Sequence, residues 1–296
     1  MPLLGLGVFQ LKEGKHVENA VKTALINGYR SIDTAYVYHN EVGVGRGVKA
    51  SGISRKEIFI TTKVGLNQQG YRSTKEAFYQ SLRYLQTDYL DLYLIHWPQG
   101  KRSLETWRAM EELYNEGLIR AIGVSNHEIH HLQYLLSNSA VIPAVNQIEY
   151  HPLNSQPKLV QYCQSKNIQV VAWSPLMQGK ALAIPEINSI ARRYKKTPVQ
   201  IILRWNIQKG VVTIPRSGSY ERIISNSKIF DFELNEADML QIDRLNKDQP
   251  MVLRRDRIIH LLEMLYNQKF DKRLLHLLSY AVGERLQQSF NLKTSE

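Results

Sequence analysis

The feature that most constrains this chain is a repeated alternation of short apolar, β-branched runs with longer amphipathic stretches. The runs fall at 4–9, 30–33, 58–63, 90–96, 121–125, 144–149, 169–174 and 211–215. Between them lie stretches with helical spacing, such as Val17, Ala20, Val21 and Ala24 on one face, and others at 74–85, 104–116, 130–136, 159–166, 186–194 and 199–208. Strands separated by crossover helices pair in parallel, because a parallel connection must travel back along the sheet. Eight such units close most economically as a (β/α)8 barrel, a TIM-barrel architecture. An open doubly wound sheet would need a Gly-rich phosphate turn after the first strand, and Gly5-Leu6-Gly7-Val8-Phe9-Gln10 lacks the third glycine. Gly5 and Gly7 instead predict a close approach of backbone to a neighbour or ligand.

The length of 296 residues suits one large α/β domain, expected over 1–250, with 251–296 as an atypical C-terminal extension. Ile258, Leu261, Leu262 and Leu265 share one helical face, as do Leu274, Leu277, Leu278 and Ala281, which predicts two amphipathic helices for packing or self-association. The composition, 43% hydrophobic and 22% charged, is that of an ordinary globular protein. No run of 18 apolar residues occurs and the N-terminus lacks a secretory pattern, so a cytoplasmic protein without a membrane span is expected. The net charge of +11 is spread as doublets without a recognition motif, which argues against nucleic acid as partner. The single cysteine, Cys163, reads as a packed thiol. His127, His130 and His131 have no carboxylate partners at strand ends and read as a helix surface, so no metal site is expected.

In a barrel of this kind the chemistry sits at the C-terminal ends of the strands. Those ends carry Asp33 with Tyr38, Lys63, His96, Ser125 with Asn126, Gln147, Trp173 with Ser174, and Arg216 with Ser217. Each has a local alternative: a strand cap, a packed aromatic, a surface charge, a core histidine. Their recurrence at successive strand ends points instead to one site.

Several segments resemble motifs of the aldo-keto reductase family, in order: Gly28-Tyr29-Arg30-Ser31-Ile32-Asp33-Thr34-Ala35 with Tyr38, Thr61-Thr62-Lys63, Asp91-Leu92-Tyr93-Leu94-Ile95-His96-Trp97-Pro98, Gly123-Val124-Ser125-Asn126 and Ile214-Pro215-Arg216-Ser217. Ala172-Trp173-Ser174-Pro175-Leu176-Met177-Gln178-Gly179 is similar to the microbial branch containing glyoxal and 2,5-diketogluconate reductases. The resemblance spans about 2–248 and implies NADPH-dependent reduction of small aldehydes, ketones or α-dicarbonyls. It implies Tyr38 as proton donor, Lys63 as the ammonium that lowers the phenol pKa, Asp33 as its partner and His96 as the residue that orients the carbonyl. It places Ser125, Asn126 and Gln147 on the nicotinamide carboxamide, Trp173 against the ring, and Ser174 and Leu176 along the pyrophosphate. Arg216, Ser217, Arg222 and Asn226 match its adenosine 2′-phosphate site, favouring NADPH/NADP+ over NADH.

Three departures stand out. Val64-Gly65-Leu66-Asn67 lacks the tryptophan that relatives carry after the lysine, leaving Phe9 as apolar wall of the substrate site. The sequence begins almost inside the first expected strand, without the residues that in the family usually form a hairpin across the bottom of the barrel, and the family's C-terminal substrate loop is unrecognisable. These motivate an alternative reading, a cofactor-binding scaffold or sensor that binds a partner through 251–296.

Overall fold

Each apolar run becomes a strand: β1 Leu6–Gly7, β2 Ser31–Asp33, β3 Phe59–Val64, β4 Leu92–Ile95, β5 Ile122–Ser125, β6 Val145–Glu149, β7 Gln169–Trp173 and β8 Val212–Thr213. This is seen in a computed structural model that describes residues 1–251. The strands pair in parallel in sequence order. Bridges Leu4↔Thr213 and Gly7↔Arg216 join the first strand back to the last, which closes the barrel. The Gly5 N–H donates to the Thr213 carbonyl (2.9 Å) and the Thr213 N–H to the Leu3 carbonyl (3.0 Å). The seam explains one of the strand glycines: a Cβ on Gly7 would lie 2.8 Å from the Ile214 carbonyl oxygen, closer than packing allows.

Because successive side chains of a strand face opposite ways, one alternate set fills the barrel and the other meets the helices. Leu92, Leu94, Val145, Val171, Val212 and Ile214 form a buried cluster with Phe59, Ala121 and Trp173 packed against it. Each fully buried aliphatic side chain contributes about 1.5–3 kcal/mol relative to exposure.

Ten α-helices surround the strands among the described residues: α1 Lys15–Ile26, α2 Glu41–Ala50, α3 Tyr71–Leu85, α4 Lys101–Asn115, α5 Ile129–Leu136, α6 Pro157–Ser165, α7 Pro185–Tyr194, α8 Pro198–Gln208, α9 Tyr220–Ser227 and α10 Glu236–Asp243. The sequence pattern missed α2, α9 and α10. α2 carries Gly43, Gly45 and Gly47, which weaken intrinsic helix propensity. Tertiary packing requires them: a Cβ on Gly45 would sit 2.6 Å from the Leu85 carbonyl oxygen. The α2 N-terminus is completed by Glu13, whose Oε2 accepts the Gly43 N–H (3.0 Å), one of the donors that a helix start leaves unpaired. In α10 the buried positions are Asp238 and Ile242, too few apolar residues to show a period.

No helix among the described residues is long and apolar enough to cross a membrane. The two amphipathic helices expected within 251–296, and association through them, lie outside the described residues apart from Met251 itself. Cys163 is buried, where it accepts from Asn146 Nδ2 (3.7 Å), and burial pushes its thiol pKa up.

Candidate active site

β2 and β3 bring Asp33 and Lys63 together inside the barrel mouth. The Lys63 ammonium, fully buried, donates to Asp33 Oδ1 at 2.6 Å and to the Thr34 carbonyl at 2.8 Å. It reaches the Tyr38 hydroxyl at 3.5 Å. Desolvation is the largest single effect on Lys63 and lowers its pKa, but Asp33 and then Tyr38 outweigh it, so the ammonium ends above its usual value. Tyr38 stands on a 3-10 turn, Tyr36–Tyr38, that follows β2 and ends at His39 in the left-handed region (φ 53°).

The sequence reading gave Lys63 the role of lowering the Tyr38 pKa, and the net shift is opposite. Burial raises it most, the Lys63 charge and hydrogen bond lower it, and Asp33 raises it. Tyr38 is therefore a phenol at neutral pH, with a cation positioned to stabilise its anion.

His96, one residue beyond β4, packs edge-on to Tyr38 with ring centroids 5.8 Å apart. Burial, and then the Lys63 charge, hold its pKa well below the ordinary value, so its imidazole is neutral. Phe9 also packs against Tyr38, 5.0 Å between centroids.

The next strand ends are tied to these four. Gln147 on β6 donates from Nε2 to Asp33 Oδ2 at 2.7 Å, so both Asp33 oxygens are engaged. Ser125 Oγ donates to the Gln147 carbonyl (2.9 Å). Asn126 Nδ2 donates to the His96 carbonyl (2.9 Å), and Asn126 Oδ1 accepts the Trp173 indole N–H (2.8 Å). Asn126 (φ 62°) and Ser174 (φ 50°) both hold left-handed backbone at the ends of β5 and β7. Such conformations cost of order 1–3 kcal/mol, least for asparagine, and cluster where geometry is functional. The Ser174 carbonyl accepts the Met177 N–H (3.0 Å) and the Leu176 carbonyl the Gly179 N–H (2.8 Å), which shapes the turn after β7.

Arg216, Ser217, Arg222 and Asn226 form a separate group after β8. Arg216 is exposed and donates from Nε to the Phe9 carbonyl (3.2 Å). Desolvation, then the like charge of Arg222, lower its pKa, so Arg216 senses a second cation. Ser217 Oγ accepts the Ser219 N–H (3.2 Å), and Ser219 caps α9 by accepting from the Arg222 N–H (3.3 Å). Asn226 is buried on α9.

One reading needs correction. His127 does not belong to a helix surface: it is buried ahead of α5, with Nδ1 3.0 Å from the Ser125 carbonyl oxygen. A carbonyl only accepts, so Nδ1 carries the proton, and burial holds the pKa down to about 3. No group of three or more His, Cys, Asp or Glu among the described residues could hold a metal. The loop after Lys63 is braced by amides: Gln68 Oε1 accepts the Gly65 N–H (3.2 Å) and Gln69 Nε2 donates to the Trp97 carbonyl (2.6 Å).

Sequence reasoning also missed Asn40 and Glu41, both buried directly behind the site. Their signal was an asparagine followed by a glutamate, a helix-start pattern, obscured by the glycines after it.

Known proteins are similar to this chain in sequence and in fold. The glyoxal reductase of Bacillus subtilis (strain 168) is 54% identical over 249 residues, 84% of this chain and 90% of that protein. The crystal structure of MGS-M4, an aldo-keto reductase enzyme from a Medee basin deep-sea metagenome library, superposes with a TM-score of 0.85 at 46% identity, covering 86% of this chain and 95% of that one. The Bombyx mori aldo-keto reductase in complex with NADP gives a TM-score of 0.81 at 36% identity, covering 86% and 92%. The sequence pattern of the aldo/keto reductase family matches residues 3–247, and the chain belongs to that family.

Proposed function

We propose that this protein reduces small aldehydes, ketones or α-dicarbonyls to alcohols with NADPH, and that Tyr38 delivers the proton. NADPH supplies the hydride when bound. The carbonyl oxygen gains negative charge as carbon is reduced, and Tyr38 protonates it while Lys63 stabilises the phenolate left behind. Asp33 keeps Lys63 charged in a dry site. Neutral His96 hydrogen-bonds the carbonyl oxygen and orients it, without giving up a proton as an imidazolium would.

The donor set fits the cofactor. Gln147 spends its side-chain N–H on Asp33, which leaves its side-chain Oε1 to accept from a carboxamide. Asn126 Oδ1 has a second lone pair beyond the Trp173 bond, and that bond fixes the indole that would pack against the nicotinamide. Ser125 would complete this group, and Ser174 and Leu176 would hold the pyrophosphate. Arg216 and Arg222, whose like charges repel, would gain most from a phosphate dianion; with Ser217 and Asn226 they would hold the 2′-phosphate. The glyoxal reductase relative supports an α-dicarbonyl among the substrates.

The observation that carries the proposal is the Tyr38 hydroxyl 3.5 Å from a fully buried ammonium that is itself paired to Asp33. The test is Tyr38→Phe, assayed by NADPH oxidation against glyoxal, methylglyoxal and simple aldehydes. Turnover falls by about 10²- to 10⁴-fold. Unchanged turnover with all three removes Tyr38 as donor.

A further inference from the structure

Glu41 is a buried carboxyl that the proposed chemistry does not use. It opens α2, and its Oε1 accepts from Thr62 Oγ1 at 2.7 Å while Oε2 accepts from Ser81 Oγ at 3.2 Å. Thr62 is the neighbour of Lys63 on β3, so its side chain faces the helix layer while Lys63 faces the barrel interior. Burial pushes the Glu41 pKa up, and the hydroxyls of Thr62 and Ser81 and the charge of Lys63 pull it down. Besides Lys63, Tyr93 on β4 is the other titratable side chain that senses it.

Asn40, just before it, completes the pattern. Asn40 Oδ1 accepts from Thr34 Oγ1 (2.9 Å), and its Nδ2 donates to the carbonyls of Val8 (2.9 Å) and Leu11 (3.1 Å). Thr34 is the residue whose carbonyl accepts the Lys63 ammonium. The Asn40-Glu41 pair therefore grips the end of β2 through Thr34 and the body of β3 through Thr62. It spans from outside the same gap that the Lys63–Asp33 ion pair spans from inside. The 3-10 turn bearing Tyr38 lies between Thr34 and Asn40, so both ends of that turn are anchored by the same bracket.

We propose that Glu41 is a positioning residue: its carboxyl, bonded to Thr62 behind β3, sets the distance between the Lys63 ammonium and the Tyr38 hydroxyl. The inference rests on Tyr38 being the proton donor. A 3.5 Å contact between those groups is at the long limit of a hydrogen bond, so a small retreat of β3 breaks it. Misplacement by about 1 Å can cost on the order of 10²-fold in rate.

The experiment compares Glu41→Ala, Glu41→Gln and Thr62→Val in the full chain, measuring methylglyoxal turnover, NADPH affinity by fluorescence and the pH profile of kcat. Thr62→Val removes the same hydrogen bond with a residue suited to a strand, so it serves if Glu41→Ala does not fold. Expected are a kcat loss of about 10- to 100-fold in Glu41→Ala and Thr62→Val, with NADPH affinity within about 2-fold of the parent. The alkaline limb of the pH profile moves upward as Lys63 loses its hold on Tyr38. Glu41→Gln, which keeps a carbonyl acceptor for Thr62 and a donor for Ser81, recovers most of the rate. Folded Glu41→Ala and Thr62→Val proteins with kcat within about 2-fold of the parent overturn the proposal, as does a parallel loss of kcat and NADPH affinity. Tyr38→Phe in the same assay separates the two claims. Loss of turnover there, with parental turnover in Glu41→Ala and Thr62→Val, sinks the positioning role alone; retained turnover in Tyr38→Phe sinks both.

Discussion

The two ends of the proposed cofactor track are built on opposite principles. At the chemical end Lys63, Asp33 and Gln147 are buried, and both Asp33 oxygens have donors before any ligand arrives. At the adenosine end Arg216 is exposed and leans on the Phe9 and Gln10 carbonyls, with Arg222 repelling it. Proton transfer gains from groups fixed in advance, because reorganisation in a dry site is costly at the moment of reaction. Phosphate recognition needs only charge that the ligand completes. On the proposed mechanism, changes at the first end should act on kcat, and changes at the second on which cofactor binds and how tightly.

Replacing Lys63 with methionine is the hardest blow to this contrast and the largest expected effect. It removes the cation that lowers the Tyr38 pKa while leaving Asp33 buried without its partner. We expect kcat to fall by about 10³-fold. Reduction needs the protonated phenol, so activity persists below the Tyr38 pKa and is lost above it; losing Lys63 raises that pKa and moves the alkaline limb of the residual activity upward. A limb that moves downward in a kcat–pH titration would show that the phenol is governed by another group.

The same contrast explains what the sequence disclosed. Strand ends were legible because a barrel puts every C-terminal strand end on one face, so Asp33, Lys63, His96, Asn126 and Gln147 could be grouped without knowing any distance. The strand cores at Leu92–Ile95 and Gln169–Trp173 were legible because burial on both faces leaves apolar runs. What supports the site from behind was not. α2 hides behind three glycines whose purpose, close approach of Gly45 to Leu85 and of Gly43 and Gly47 to Val17, Glu18 and Val21, exists only in three dimensions. The direction of the Tyr38 shift was likewise unreadable, because burial and a neighbouring ammonium push oppositely and only the packed structure decides between them. His127 was misassigned for a similar reason: its partner is a backbone carbonyl, which no residue name reveals.

At the adenosine end, Arg216→Ala and Arg222→Ala should weaken NADPH binding by about 10- to 100-fold each, the scale of a charged hydrogen bond. NADH affinity should stay within about 2-fold, and the salt dependence of NADPH binding should flatten, since an exposed ion pair is screened. Fluorescence titration of both cofactors at low and high salt measures this. If kcat at saturating NADPH falls as steeply as affinity does, the two ends are not separable and the contrast fails.

The smallest expected effect probes the joint between the two ends. The Tyr29 hydroxyl, on the segment leading into β2, donates to the Ile223 carbonyl of α9 at 3.0 Å. It thereby ties the strand that carries Asp33 to the helix that carries Arg222 and Asn226. Tyr29→Phe removes that one buried hydrogen bond and keeps the ring packed, so stability should drop by about 0.5–1.5 kcal/mol. For a domain of this size that lowers Tm by roughly 2–4 °C per kcal/mol. A helix released at one point lets the phosphate group drift, so NADPH affinity should weaken by about 2-fold, while kcat at saturation holds because Asp33 keeps its own two donors. A larger fall in kcat than in affinity would mean that α9 supports the chemical end as well, and the division of labour would have to be redrawn along the Tyr29–Ile223 contact.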